Sequence, residues 1–147
     1  MADAGAPLIL DTNVLLDLFV FNDPEVAPLK TALLAQQFRW LATQAMRDEL
    51  ERVLTYPKIV PRMAFYQLSA ADVLAKFDQL ATLVDAAARA QWICKDPDDQ
   101  KFIDLAVLHC ATLLSKDQAV LCMQKRLLAS EVVTMTAIKY VAQSYPH

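Results

Sequence analysis

Apolar positions along the chain follow two different patterns. Short apolar runs recur as candidate buried strands: Leu8 to Leu10, Arg39 to Ala42, Trp92 to Cys94, Thr112 to Ser115 and Val132 to Thr134. Between them, apolar residues return at every third or fourth place, the period of a helix with one buried face. Thr43 is placed to cap a helix through "QAMRDELERVL", which Tyr56 and Pro57 then stop, because proline cannot continue the backbone ladder. Ser69 and Asp72 have the spacing of a capping box, opening a helix in which Val73, Phe77, Leu80, Ala81 and Val84 form a stripe. Phe102, Leu105, Ala106 and His109 mark a further helix, and a last one covers Met135 to Gln143. Strands alternating with helices predict an α/β fold, a parallel sheet with helices on both faces.

One run breaks its own pattern. In "PLILDTNVLLDLF" the greasy residues on either side are interrupted by Asp11, Thr12 and Asn13. Burying a carboxylate costs free energy unless something compensates it. In an open parallel sheet, however, the functional crevice lies beyond the carboxyl ends of the strands, and Asp11 stands at such an end. Asp117, just after "TLLSK", stands at another. Asp99, in "CKDPDDQKFIDLA", falls at the start of a helix, where an aspartate also serves to cap free amides; Asp96 and Asp98 fit that role equally well. Glu49 lies inside the helix of "MRDELERVL", so its alternative to site chemistry is a solvated face beside Arg47 or Arg52.

Composition narrows the class. With 147 residues, 56% hydrophobic and 21% charged, the chain is expected to form one domain over residues 1–147 with a real core. Its mean hydropathy of +0.26 argues against disorder. Asp11, Asp17, Asp104 and Lys116 cut the apolar stretches well short of the about 18 residues a membrane span needs. "MADAGAP" lacks the basic and apolar regions of a signal peptide, which predicts a cytoplasmic protein. Cys94, Cys110 and Cys122 show no CxxC spacing, so neither a disulfide framework nor a zinc ribbon is expected. His109 and Cys110 read as a partly buried imidazole and a packed thiol. Gly5 is the only glycine, which excludes the P-loop and the dinucleotide fingerprint. A net charge of −3 speaks against a general nucleic-acid binder, while leaving room for a local basic rim from Arg47, Arg52, Lys58, Lys95, Lys101 and Lys116. The apolar surplus is either all core or leaves a patch for self-association or a partner.

Four blocks, "ILDTNVLLD", "RDELERVLTYPK", "DPDDQKFIDLA" and "LLSKDQAVL", occur in this order across nearly the whole chain, and each brings an acid. Together they resemble the PIN-domain ribonucleases, in particular the VapC-like toxins of type II toxin–antitoxin pairs. The resemblance implies a three-layer α/β/α PIN-like domain around a central parallel sheet of about five strands. It implies that Asp11, Glu49, Asp99 and Asp117 form an acidic quartet supported by Asn13 and Ser115. Single-stranded or structured RNA as substrate, a homodimer and a small antitoxin protein are implied as well. The chain departs from the family at Lys116, where glycine is usual before the last acid, so that turn has to form without glycine.

The residue types suit this chemistry. Carboxylates and water favour Mg2+ or Mn2+, hard ions usually held by few protein ligands. Several acids in one crevice raise each other's pKa unless a cation neutralises them. The expected reaction is in-line attack of a metal-activated water on a phosphodiester. Asp11 and Asp99 are expected as direct metal ligands, Asp117 as a second or water-mediated one, and Glu49 as the group that holds or deprotonates the water. Asp96, Asp98 and Asp104 stand in reserve. A dehalogenase-like phosphatase would need a second aspartate where Asn13 stands, and a response-regulator receiver would need adjacent acids ending the first strand. The remaining rival is a PIN-fold protein-binding module with an idle site.

Overall fold

A computed structural model describes residues 6–145. Gly5 and most of the "MADAGAP" stretch lie outside the described residues. The strands are β1 (Pro7–Leu10), β2 (Arg39–Ala42), β3 (Thr82–Leu83), β4 (Thr112–Leu114) and β5 (Thr134–Met135). They form one sheet in the order β3-β2-β1-β4-β5, with every pairing parallel. Leu8, Ile9 and Leu10 of the central strand are all buried, as an apolar strand covered on both faces must be. The covering helices are α1 (Thr12–Phe19), α2 (Ala27–Leu34), α3 (Gln44–Val53), α4 (Val60–Phe65), α5 (Ala70–Leu80), α6 (Gln100–His109), α7 (Gln118–Leu121), α8 (Gln124–Leu128) and α9 (Ala137–Ser144). This is the three-layer α/β/α architecture of a PIN-like domain. No helix among the described residues is long and apolar enough to cross a membrane.

Topology places the crevice. From β1 the chain moves outward through β2 and β3, then returns to the other side of β1 for β4 and β5, so the order reverses between β1 and β4. Their register pairs Leu10 with Leu114, and the Asp11 amide donates to the Leu114 carbonyl at 3.1 Å. The ladder thus continues one step past the last paired residue of β1. Asp11 and the turn after Leu114 are brought side by side at the switch point, where open α/β sheets bind their ligands.

Local signals explain most helix starts. The Thr43 hydroxyl accepts from the Met46 amide at 3.4 Å and opens α3. Ser69 and Asp72 make both bonds of the capping box, at 3.1 and 2.9 Å, opening α5. Thr136 caps α9 through the Lys139 amide, so that helix begins at Ala137 rather than at Met135.

Several strand expectations are corrected. Residues 92–94 are not a strand, and the strand next to β2 is Thr82–Leu83, taken from what the periodicity extends as helix. Leu80, Ala81 and Val84 keep helical spacing, but the backbone turns extended at Ala81 (ψ 146) and the Val84 amide donates to Ala42 of β2 at 2.9 Å. An exposed two-residue edge strand is too short to show an alternation of its own. Around Trp92 and Cys94, side chains of α6 replace a ladder: Gln100 Nε2 donates to the Trp92 carbonyl at 2.9 Å, and Gln100 Oε1 accepts from the Cys94 amide at 2.7 Å. Asp104 accepts from the Ala90 amide and from Gln100 Nε2, each at 2.8 Å. These bonds satisfy backbone groups that have no strand partner. The last strand is also displaced, pairing at Thr134 and Met135, and β4 stops at Leu114, before Ser115.

Gln100 is buried and holds the long connection by both ends of its amide. Gln100→Ala leaves those backbone groups unsatisfied and is expected to cost about 2 kcal/mol of stability, read as a lower urea midpoint. An unchanged midpoint would mean that the connection is held by other contacts.

Candidate metal centre

Asp11 is 3% exposed and held from two directions. One carboxylate oxygen caps α1, accepting from the Val14 amide at 3.0 Å. The other accepts from the Ser115 hydroxyl and from the Lys116 amide, the latter at 3.2 Å. Burial pushes the Asp11 carboxyl above its ordinary range; these donors oppose the shift and the nearby Asp117 adds to it. Ser115 is fully buried, and its hydroxyl oxygen also accepts from the Asp117 amide at 3.0 Å. One side chain therefore couples the end of β1 to the turn that carries Asp117. Asp117 in turn caps α7 through the Ala119 amide at 2.9 Å.

Carboxylate oxygens of Asp96, Asp99 and Asp117 all lie within 4.8 Å of one another. Asp96 does act as a cap, accepting from the Asp98 amide at 3.0 Å in the 3-10 turn Pro97–Asp99. Asp99 does not: it occupies the N-cap position of α6 but makes no capping bond, and its buried Oδ2 has no partner. Burial, then the neighbouring Asp117, Asp96 and Asp11, push the Asp99 carboxyl up to about 8. The adjoining Asp117 carboxyl is held below its usual range, chiefly by its closeness to Asp99. Three carboxylates crowded together, one of which also carries an orphaned buried oxygen, suit a hard divalent cation. Asp98 is exposed; it takes part through its backbone, the amide to Asp96 and the carbonyl to Lys101, and its carboxylate is not in the group. Asp104 is committed to the connection described above and lies outside the group.

Glu49 stands apart from these three. From α3 it accepts the Thr12 hydroxyl on Oε2 and the Lys101 ammonium on Oε1 at 2.5 Å. A solvated face beside Arg47 does not describe it, since Arg47 forks onto Asp78 of α5 at 2.7 and 2.8 Å. Asn13 is exposed and makes no side-chain hydrogen bond among the described residues.

Lys116, standing where a glycine is usual, is accommodated simply. It is not among the residues with positive φ, so the turn makes no demand that only glycine meets. Its ammonium pairs with Asp17 of α1 at 3.0 Å, compensating a carboxylate buried in the stripe "VLLDLF". Of the basic rim, Lys101 and Lys116 are thus both engaged with acids beside the crevice. Sequence reading missed the parts played by Thr12 and Asp17; an acid inside an apolar helical stripe was the available signal for Asp17, and nothing local marked its partner. Cys94 is buried, whereas Cys110 and Cys122 are exposed, which corrects the packed-thiol reading of Cys110: it closes α6 in the left-handed conformation (φ 50).

The crevice and its acids define a three-layer α/β domain with a carboxylate centre at the sheet's switch point. The family model described as PIN domain matches residues 7–119, and the chain belongs to the PIN-domain family. That span contains every acid of the centre, together with Glu49. PIN domains are generally nucleases, so the fold is of a nuclease type. No match to the chain was found among curated proteins.

The Asp99 shift sets a pH dependence. In the unfolded chain this carboxyl ionises near its ordinary 3.8; in the metal-free fold it keeps its proton to about 8. Between those values the native state binds the additional proton, so raising the pH through this window removes stability. Thermal midpoints in EDTA are expected to fall from pH 5 to pH 8, less steeply for Asp99→Asn, and to recover on addition of Mn2+. A wild-type midpoint that is flat over this range, or slopes identically in the variant, would contradict the assignment.

Proposed function

We propose that the chain is a metal-dependent endoribonuclease, the toxin of a toxin–antitoxin pair. The observation that carries the enzymatic part is the orphaned, buried Asp99 oxygen among crowded carboxylates at the switch point of a PIN domain. Asp96, Asp99 and Asp117 would hold Mg2+ or Mn2+, with Asp11 beside them. When bound, such an ion supplies a water of lowered pKa and neutralises charge on a phosphodiester.

The protein's own groups would divide the remaining work. Asp11, pinned by the Val14, Ser115 and Lys116 donors, fixes the Asp117 turn through the shared serine hydroxyl. Glu49 has one donor on each oxygen, which leaves a lone pair on each to orient the attacking water. No side chain is needed as a covalent nucleophile. RNA as the substrate, the toxin role, a homodimer and an antitoxin partner are supported by the four-block resemblance. Exposed apolar side chains such as Phe65 (78%) and Leu108 (61%) supply material for protein contacts.

The test is cleavage of end-labelled single-stranded RNA with Mn2+, with Mg2+ and with EDTA. Cutting is expected only with metal, and Asp99→Asn and Asp11→Asn are each expected to lower it by at least about 100-fold. Uncut RNA, or variants that cut like the wild type, would favour a PIN-fold module that binds proteins with an idle site.

A further inference from the structure

The Lys101 ammonium lies two residues beyond Asp99 in the chain and donates both to Glu49 Oε1 at 2.5 Å and to the Asp98 carbonyl. The pair joins α3 to α6, and its side chains are only 26% and 15% exposed. Glu49's other oxygen is taken by the hydroxyl of Thr12, the residue after Asp11. Both carboxylate oxygens are therefore engaged, one by a full positive charge in a partly desolvated place where Coulomb attraction is strong. No oxygen of Glu49 belongs to the group formed by Asp96, Asp99 and Asp117. An ion drawn to the remaining lone pairs of Glu49 would meet the like charge of the Lys101 ammonium on Oε1, and expelling that lysine would leave the ammonium without its counter-charge.

We infer that Lys101 is a positioning residue: it reserves Glu49 outside the metal's ligand set, so that the crevice takes a single divalent cation, at Asp96, Asp99 and Asp117. This rests on the metal-site reading above and deepens it. A lysine is suited to the task because its charge is fixed to the chain, whereas a second free ion would depend on the ambient metal concentration. Glu49 is then oriented by α6 and Thr12 whether or not a metal is bound.

The experiment is a calorimetric titration of Mn2+ into the RNA-free protein. The wild type is expected to bind one ion per chain. Lys101→Met leaves Glu49 free to coordinate and is expected to show a second ion, or a first bound about tenfold more tightly, an effect of the size outer contacts have on metal affinity. Lys101→Met combined with Glu49→Gln, and Lys101→Arg alone, should both return to wild-type behaviour. Glu49→Gln alone should leave the affinity within about threefold, which a true ligand would not allow. That arm decides the matter even where Lys101→Met does not fold. Two ions on the wild type, an unchanged Lys101→Met titration, or a tenfold loss in Glu49→Gln would overturn the inference. Because no RNA is used, a protein that cuts nothing still answers; one-site binding without cleavage would remove the nuclease reading and keep this one.

Discussion

The site depends on one buried hydroxyl. Ser115 donates to Asp11 and accepts from the Asp117 amide, so one atom links the acid at the end of β1 to the turn that carries the acid after β4. This works only in the observed register, with Leu10 opposite Leu114 and the Asp11 amide bonded to the Leu114 carbonyl. A slip of one residue would turn the inward side chains of β1 to the other face of the sheet. The apolar residues on both strands prevent that slip, because Leu8 to Leu10, Leu113 and Leu114 are all buried. Packing of the core therefore fixes the position of polar groups that contribute little to the core themselves.

Charge is the second constraint, and the fold distributes its relief unevenly. Asp11 receives three donors, Asp96 and Asp117 each cap a turn, Glu49 has Lys101 and Asp17 has Lys116. Asp99 alone faces its neighbours with a buried oxygen that nothing satisfies. Lone buried carboxyls are normally avoided, and where one persists it marks a place where folding stability has been given up for function. The rise of Asp99 to about 8 is the electrostatic form of the same statement, and a cation is what would reverse it.

Local chemistry was legible in the sequence, and long-range partnership was not. The capping box at Ser69, the cap at Thr43 and the strand before Asp11 follow from neighbours in the chain, so they could be read directly. β3 could not: its two exposed residues follow a helix in phase with it, and only pairing with Ala42 makes them a strand. Asp96 illustrates the same limit within the site. As a cap it fits the sequence reading, yet its approach to Asp99 and Asp117 depends on the turn Pro97–Asp99 and on how the β4 end is placed. Likewise Glu49 is an ordinary helical glutamate until Lys101, far along the chain, closes on it.

Lys116 shows how a departure from a family pattern is absorbed. A glycine before the last acid would permit any backbone, but this turn uses none of that freedom, and a residue with a Cβ narrows the unfolded ensemble. The added side chain then reaches Asp17, whose burial on α1 would otherwise be costly. Position 116 and position 17 thus act as a pair: the lysine is tolerable because the turn asks for no positive φ there, and the buried aspartate is tolerable because the lysine is there. The coupling ties α1 to the same turn that Ser115 ties to β1, so the segment carrying Asp117 is anchored from both sides of its own backbone.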